Sequence, residues 1–233
     1  MSKKQTAFAT ILLMITLCVS NLLAAQYFPD DLNMPARVNQ SFVKAESKFL
    51  ESMKEPPLWP RAKDPNAISY RLSCTGFKQK PVIFRLDRIT NTKWVLTTKQ
   101  ADYWPANNVS KLNRKQSLTK EEVVQFQKLF TELQFWQLPS VGAFEVEEEI
   151  MDGTTWILEA VEKGRYHLVR RRAPRDSDRF WFSDPRHAAE LQKIKEKEGY
   201  PDIDRDTSAE VNNKLVAVGE FLVKLSGLKV EVH

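Results

Sequence analysis

The sequence predicts an α+β fold, an antiparallel sheet of about five strands with helices packed on it. Three observations carry that expectation. Apolar residues alternate at period two through residues 68–75 and 82–87, which is the pattern of paired strands. Two β-rich runs flank Lys163-Gly164, whose glycine suits a tight hairpin turn. Helical stripes at 3–4 spacing lie before, between and after these strand runs instead of alternating with single strands. Strands joined by hairpins, with helices set apart from them, point to an antiparallel sheet covered on one face.

The chain opens with Lys3 and Lys4, an apolar run from Ala7 to Leu17 broken only by Thr10 and Thr16, and Leu22-Leu23-Ala24-Ala25 before Gln26. A basic start, a short apolar core and small residues at a cleavage point make the layout of a secretory signal peptide over residues 1–25. The run is short of the ~20 residues a membrane span needs. Cys18 raises lipid anchoring as an alternative, but Leu17 is a poor neighbour for a lipoprotein cysteine and apolar residues continue beyond it. The expectation is therefore a cleaved, periplasmic or secreted protein with no transmembrane segment after cleavage.

Residues 26–66 read as an irregular lead-in, a helix and an extended linker. Val38, Phe42, Ala45, Phe49 and Met53 recur on one helical face, and Pro56-Pro57 and Pro60 end the pattern. Residues 67–233 read as one domain. Ile68, Tyr70, Leu72 and Cys74 alternate with Ser69, Arg71, Ser73 and Thr75; two further strands centre on Val82-Phe84-Leu86 and Trp94-Leu96-Thr98. Thr119 with Glu122 forms a capping box for a helix whose stripe is Val123, Phe126, Phe130 and Leu133. Phe135-Trp136 is expected to pin the end of that helix to the sheet. The hairpin from Thr154 to Arg172 sets Trp156 opposite Arg171 and Ala160 opposite His167. Asp184-Pro185 opens a charged helix that stops at Gly199. A last helix starts near Thr207-Ser208, carries Val211, Leu215, Val218, Phe221, Leu222 and Leu225, and ends at Gly227.

Composition narrows the function classes. Losing Lys3 and Lys4 with the signal peptide lowers the formal charge from +5 to about +3 over about 208 residues. So mild a balance does not argue for nucleic acid. Cys74 is the one cysteine left, which leaves no intramolecular disulfide, and its strand parity puts it on the apolar face. The three histidines, His167, His187 and His233, have no Cys or His at metal-ligand spacing. Asp202-x-Asp204-x-Asp206 starts like a calcium loop, but Thr207 and Asn213 stand where glycine and a bidentate glutamate are required. No metal or cofactor is expected, and no nucleophile elbow or phosphate loop is present in the sequence.

Two constellations remain. Register counting places Trp156, His167 and Arg171 on one face of the hairpin and Glu159 on the other. As a pocket, that face would stack on Trp156, hydrogen-bond through His167 and hold an anion with Arg171 and Arg170. As plain structure, the same residues pin the hairpin. Arg170-Arg171-Arg172, Arg175, Arg179 and Arg186, interleaved with Phe180-Trp181-Phe182, form the densest basic run. In an exported protein this favours an anionic envelope component or a partner protein over nucleic acid, unless Glu147, Glu148 and Glu149 neutralise it.

Four motifs span the mature chain: Phe135-Trp136-x-Leu138-Pro139, Asp152-Gly153-x-x-Trp156-x-Leu158-Glu159, Tyr166-His167-x-Val169-x-Arg171-x-x-Pro174 and Phe221-Leu222-x-x-Leu225-x-Gly227-Leu228. On these residues the region from Ile68 to Leu228 resembles a group of exported bacterial proteins of uncharacterised function. The resemblance implies an exported location and assigns no catalysis. At Arg172 the chain departs from look-alikes that place an aromatic residue there. The functional expectation is a non-catalytic binding or interaction module. An enzyme acting on an anionic envelope substrate, with His167 as acid/base and Arg171 as anion clamp, and a purely structural envelope protein are the alternatives.

Overall fold

The computed structural model describes residues 26–32, 36–76, 79–102, 112–141, 154–172, 174–175 and 205–229. The expected signal peptide, the Asp184–Gly199 helix, the aspartates at 202 and 204 and the acidic run at 147–149 lie outside the described residues.

Six antiparallel strands form one sheet in the order β4-β3-β2-β1-β5-β6: β1 Ser69–Gly76, β2 Gln79–Arg88, β3 Trp94–Gln100, β4 Leu112–Ser117, β5 Thr155–Glu162 and β6 Arg165–Arg172. Among the described residues three α-helices accompany it: α1 Ala36–Ser52, α2 Lys120–Glu132 and α3 Arg205–Ser226. The hairpin register is the expected one, with Trp156 opposite Arg171 and Ala160 opposite His167. Lys163 and Gly164 both have positive φ, 53° and 72°. Two such residues make the turn whose twist matches the flanking strands. The capping box is complete, Thr119 Oγ1 accepting from the Glu122 amide at 3.2 Å and Glu122 Oε2 from the Thr119 amide at 2.8 Å. Among the described residues no helix is long and apolar enough to cross a membrane.

The sheet is covered on both faces, where one covered face was expected. On the first face α2 and α3 pack over Tyr70, Leu72, Cys74, Phe84, Leu86, Trp156, Leu158 and Val169. On the second, α1 and the segment around Tyr27 and Phe28 cover Ile83, Ile157 and Leu168. Every residue of β1 through Thr75 is buried for this reason, although its polar half follows the alternation of an exposed face. Serine and arginine at alternate positions imply solvent only if no other part of the chain supplies partners, and here Asp87 of β2, Glu159 of β5 and Glu46 of α1 take up Ser69, Arg71 and Ser73.

Two further differences have local causes. β4, Leu-Asn-Arg-Lys-Gln-Ser, holds a single apolar residue and so carries no periodic signal. It is an edge strand, exposed through most of its length, and charged residues suit that position. Its Arg114 and Gln116 donate to the Ser226 and Leu225 carbonyls at 3.2 and 2.6 Å. They satisfy acceptors that the last turn of α3 leaves unpaired. The expected extended linker contains a 3-10 turn, Trp59–Lys63, anchored by the fully buried Leu58. Pro60 lies in its first turn, where a missing N–H costs nothing, so it starts this turn as readily as it stops a helix.

Trp156 is fully buried beneath α3 at Gly219. A Cβ at that glycine would overlap Trp156 Cζ3 and lie 2.7 Å from Cη2. Helix and sheet approach this closely because the helix has no side chain there. Gly219→Ala should lower the unfolding free energy by about 1–3 kcal/mol, the usual cost of overpacking. Urea denaturation measures it, and an unchanged midpoint would show that the contact is loose.

Candidate functional site

The hairpin face expected to form a pocket is turned inward. Trp156 fills the core, and Arg171 is 6 % exposed. Arg171 Nη1 and Nη2 both donate to the Pro139 carbonyl at 3.2 Å, and Nη1 donates to the Arg170 carbonyl at 2.7 Å. His167 Nε2 donates to the Leu138 carbonyl at 2.8 Å. A carbonyl only accepts, so the proton of the neutral ring is on Nε2. Burial, helped by the Arg171 charge, holds the His167 pKa below its ordinary value against the pull of that carbonyl. The Arg170 amide completes the series by donating to the Ser140 carbonyl at 2.7 Å, and Val141 bridges to Arg170 in parallel.

Three successive carbonyls, of Leu138, Pro139 and Ser140, therefore accept hydrogen bonds from β6. The Leu-Pro end of the Phe135-Trp136 motif and the His/Arg end of the Tyr166-His167 motif meet face to face. Arg170 itself points to the second face, its guanidinium 5.9 Å from the Phe42 ring centroid. Of the four sequence-predicted residues, the structure brings His167 and Arg171 to one backbone segment, places Trp156 in the core and sends Arg170 to the opposite face.

Two residues at this end of the sheet carry features that register counting did not single out. Phe135 is buried against Phe130 at 4.8 Å and meets the His167 ring edge-on at 5.0 Å. Trp136 remains half-buried, and the exposed Arg165 holds its guanidinium 4.4 Å above the Trp136 ring. That is a cation–π distance. The pair is legible in the sequence only after the 3-10 turn Phe135–Gln137 has been placed beside the hairpin.

On the second face, Glu159 lies at the centre of a buried polar layer. Arg71 Nε donates to Glu159 Oε2 at 2.6 Å, and Arg71 Nη1 donates to the Pro56 carbonyl at 2.7 Å. Tyr166 donates to Glu159 Oε1 at 2.9 Å. Glu55 is held by Lys99 at 2.7 Å and Arg85 at 2.5 Å, with Arg71 at 3.8 Å. Lys99 also donates to the Met53 and Lys54 carbonyls where the chain leaves α1. Asp87 accepts from Arg61, Ser69 and Arg85. Burial opposes its charge, but Arg85 and the hydrogen bonds from Ser69 and Arg61 prevail and lower its pKa. Burial pushes Glu159 up, against the pull of Arg71.

Glu46 was missed because the α1 stripe was read through Ala45. Ala45 is exposed and Glu46 is buried, so the stripe facing the sheet is Phe42, Glu46, Phe49, Leu50 and Met53. Glu46 Oε1 accepts from Ser73 Oγ at 2.9 Å. Burial pushes its pKa to about 7. Cys74, on the other face, is fully buried, and burial raises its thiol well above the ordinary range. Among the described residues no group of three or more His, Cys, Asp or Glu side chains is placed to hold a metal ion.

Breaking the Arg71–Glu159 pair from one side should cost about 3–5 kcal/mol, because the remaining charge stays buried. Arg71→Met and Glu159→Leu are each expected to do so, whereas the double variant should lose much less than the two costs combined. A double-mutant cycle by urea denaturation reads the coupling; strict additivity would show that the two groups do not depend on each other. No protein-family model matches the chain, and no curated protein matches it in a sequence comparison.

Proposed function

We propose that this chain is an exported, non-catalytic envelope protein that binds an anionic partner through the outer side of its basic hairpin. The reading is carried by the exposed Arg165 cation held 4.4 Å from the centre of the Trp136 ring. Such a pair offers a guanidinium edge to a phosphate or carboxylate while the ring restrains it. Lys163 is exposed at the adjoining turn, and Arg175 stands on the chain just beyond β6, paired with Glu220 at 2.8 Å. Export is supported by the Lys3-Lys4 start, the Ala7–Leu17 run and the small residues before Gln26. The resemblance to exported bacterial proteins adds to it.

A non-catalytic role is favoured by where the reactive groups sit. Cys74, Glu46 and Glu159 are buried, and His167 and Arg171 are both engaged with the Leu138–Pro139 backbone. This last observation also favours a second reading for those two residues alone, that they hold the 138–141 segment on the hairpin and contact no ligand.

The test immobilises the protein in the form the cell accumulates and passes a solubilised envelope fraction over it. Wild type should retain an anionic lipid, an acidic glycan or an acidic protein. Arg165→Glu should cut retention tenfold or more with little change in melting temperature, since an exposed side chain contributes under about 1 kcal/mol. Arg171→Ala should instead cost about 1.5–3 kcal/mol of stability, the range for hydrogen bonds to a charged group, and keep its retention where it stays folded. If wild type retains nothing anionic, or Arg165→Glu retains it equally well, the binding reading fails.

A further inference from the structure

The acids beneath α1 fall into two groups. Glu55, Asp87 and Glu159 each have a cation within 4 Å, from Lys99 and Arg85, from Arg61 and Arg85, and from Arg71. Glu46 has no ion pair among the described residues; its hydrogen bond comes from the Ser73 hydroxyl. It is 4 % exposed and sits in the middle of the helix stripe, between Phe42 and the Phe49-Leu50 pair, all of them buried. A carboxyl in this position is accommodated as the neutral acid. Ionised, it is a buried charge without a counter-ion, which a protein relieves by taking up a proton or by opening.

We propose that the seating of α1 on the sheet is a pH-sensitive latch: protonated Glu46 keeps the helix down, and ionised Glu46 releases it from the sheet face that carries Ile83, Ile157 and Leu168. The surroundings pull in both directions, the Ser73 hydroxyl, Arg71 and Arg170 toward the carboxylate and Glu159 toward the acid, and burial prevails. From β1, Ser73 supplies a hydroxyl and Arg71 a charge already committed to Glu159 and the Pro56 carbonyl. From β5, Glu159 repels the ionised form. From β6, Arg170 attracts it from beside Phe42, and the Tyr166 hydroxyl is bonded to Glu159. From the end of α1, Glu55 adds a further carboxylate, held by Arg85 of β2 and Lys99 of β3. Cys74 of β1 faces the other side of the sheet and is buried there.

The direction follows from proton linkage. The docked state binds the Glu46 proton more tightly than the open state, in which the carboxyl has its ordinary value of 4.5. Docking therefore weakens as pH rises from the ordinary carboxylate range to about 7, and levels off above it. Opening exposes an apolar strand face, so the device couples pH to the availability of a second surface on the opposite side from Arg165.

Native-state hydrogen exchange across α1 tests the latch, with protection factors corrected for intrinsic exchange and compared with those of α2. Between pH 5 and pH 8 wild-type α1 should lose protection by roughly fiftyfold, the size set by linkage, while α2 changes far less. Glu46→Gln keeps the Ser73 hydrogen bond and cannot ionise, so its α1 protection should stay level over the range. Ser73→Ala, which removes the donor that favours the ionised form, should carry the loss to higher pH and serves if the glutamine variant does not fold. The latch is ruled out if wild-type α1 is equally protected at both pH values, or if Glu46→Gln loses protection in parallel with wild type.

Discussion

A guanidinium and a carboxylate buried in the middle of a six-stranded sheet must draw every donor and acceptor from nearby chain, and Arg71 and Glu159 draw theirs from several elements. They meet across the β1–β5 pairing, where Arg71 lies opposite Glu159. Arg71 then reaches the Pro56 carbonyl just beyond α1, and Glu159 takes the Tyr166 hydroxyl from β6. Such a pair is weak evidence for net stability, because desolvation offsets much of its attraction. What it does impose is register. A one-residue slip of β1 against β5 would set Tyr70 or Leu72 against Glu159 and leave two charges buried alone, so the pairing also determines which face receives α1.

The two faces of the sheet consequently follow different rules. The first is an apolar core with an aromatic ladder running from Tyr70 through Phe126 and Phe130 to Phe135 and the edge of His167. Its polar groups appear at the margin, where β6 donates to the carbonyls of residues 138–140. The second face mixes Ile83, Ile157 and Leu168 with charged residues whose partners come from the end of α1 and the turn after it. An apolar interface tolerates small shifts, whereas a polar layer has one satisfied arrangement. Helix α1 is therefore the element whose attachment depends most on protonation, and α2 and α3 the ones whose attachment depends on shape, as the close approach of Gly219 to Trp156 illustrates.

What the sequence disclosed and what it hid divide along the same line. The hairpin register, the capping box at Thr119, the apolar face of β1 and the end of α3 at Gly227 were legible because each rests on neighbours close in sequence or on strict alternation. β4 was hidden because an edge strand held by backbone pairing needs no apolar pattern. The second covered face was hidden because Ser69, Arg71 and Ser73 look alike whether their partners are water or Asp87, Glu159 and Glu46. Counting in steps of four and three through α1 reached Ala45, one residue short of the glutamate that faces the sheet. Trp156, His167 and Arg171 share one strand face as the register count has them, with Arg170 on the other, but parity alone does not say whether a face meets solvent or more of the chain.

The structural positions of the hairpin and the contact position proposed for it lie at different places along β6. Residues on β6 alternate between the two faces: His167 and Arg171 meet the Leu138–Pro139 backbone and Val169 joins the core on the first, while Leu168 is buried on the second. Arg165 stands at the first position of the strand, next to the turn, beyond the reach of both layers, and its neighbour in space is the half-buried Trp136. A cation there loses little of its hydration and has its rotamers restricted by the ring. Within the strand His167 and Arg171 hold the 138–139 backbone while Leu168 and Val169 pack in the two cores, so on the binding reading proposed above the contact is made from the turn end, where Arg165 stays exposed among the described residues.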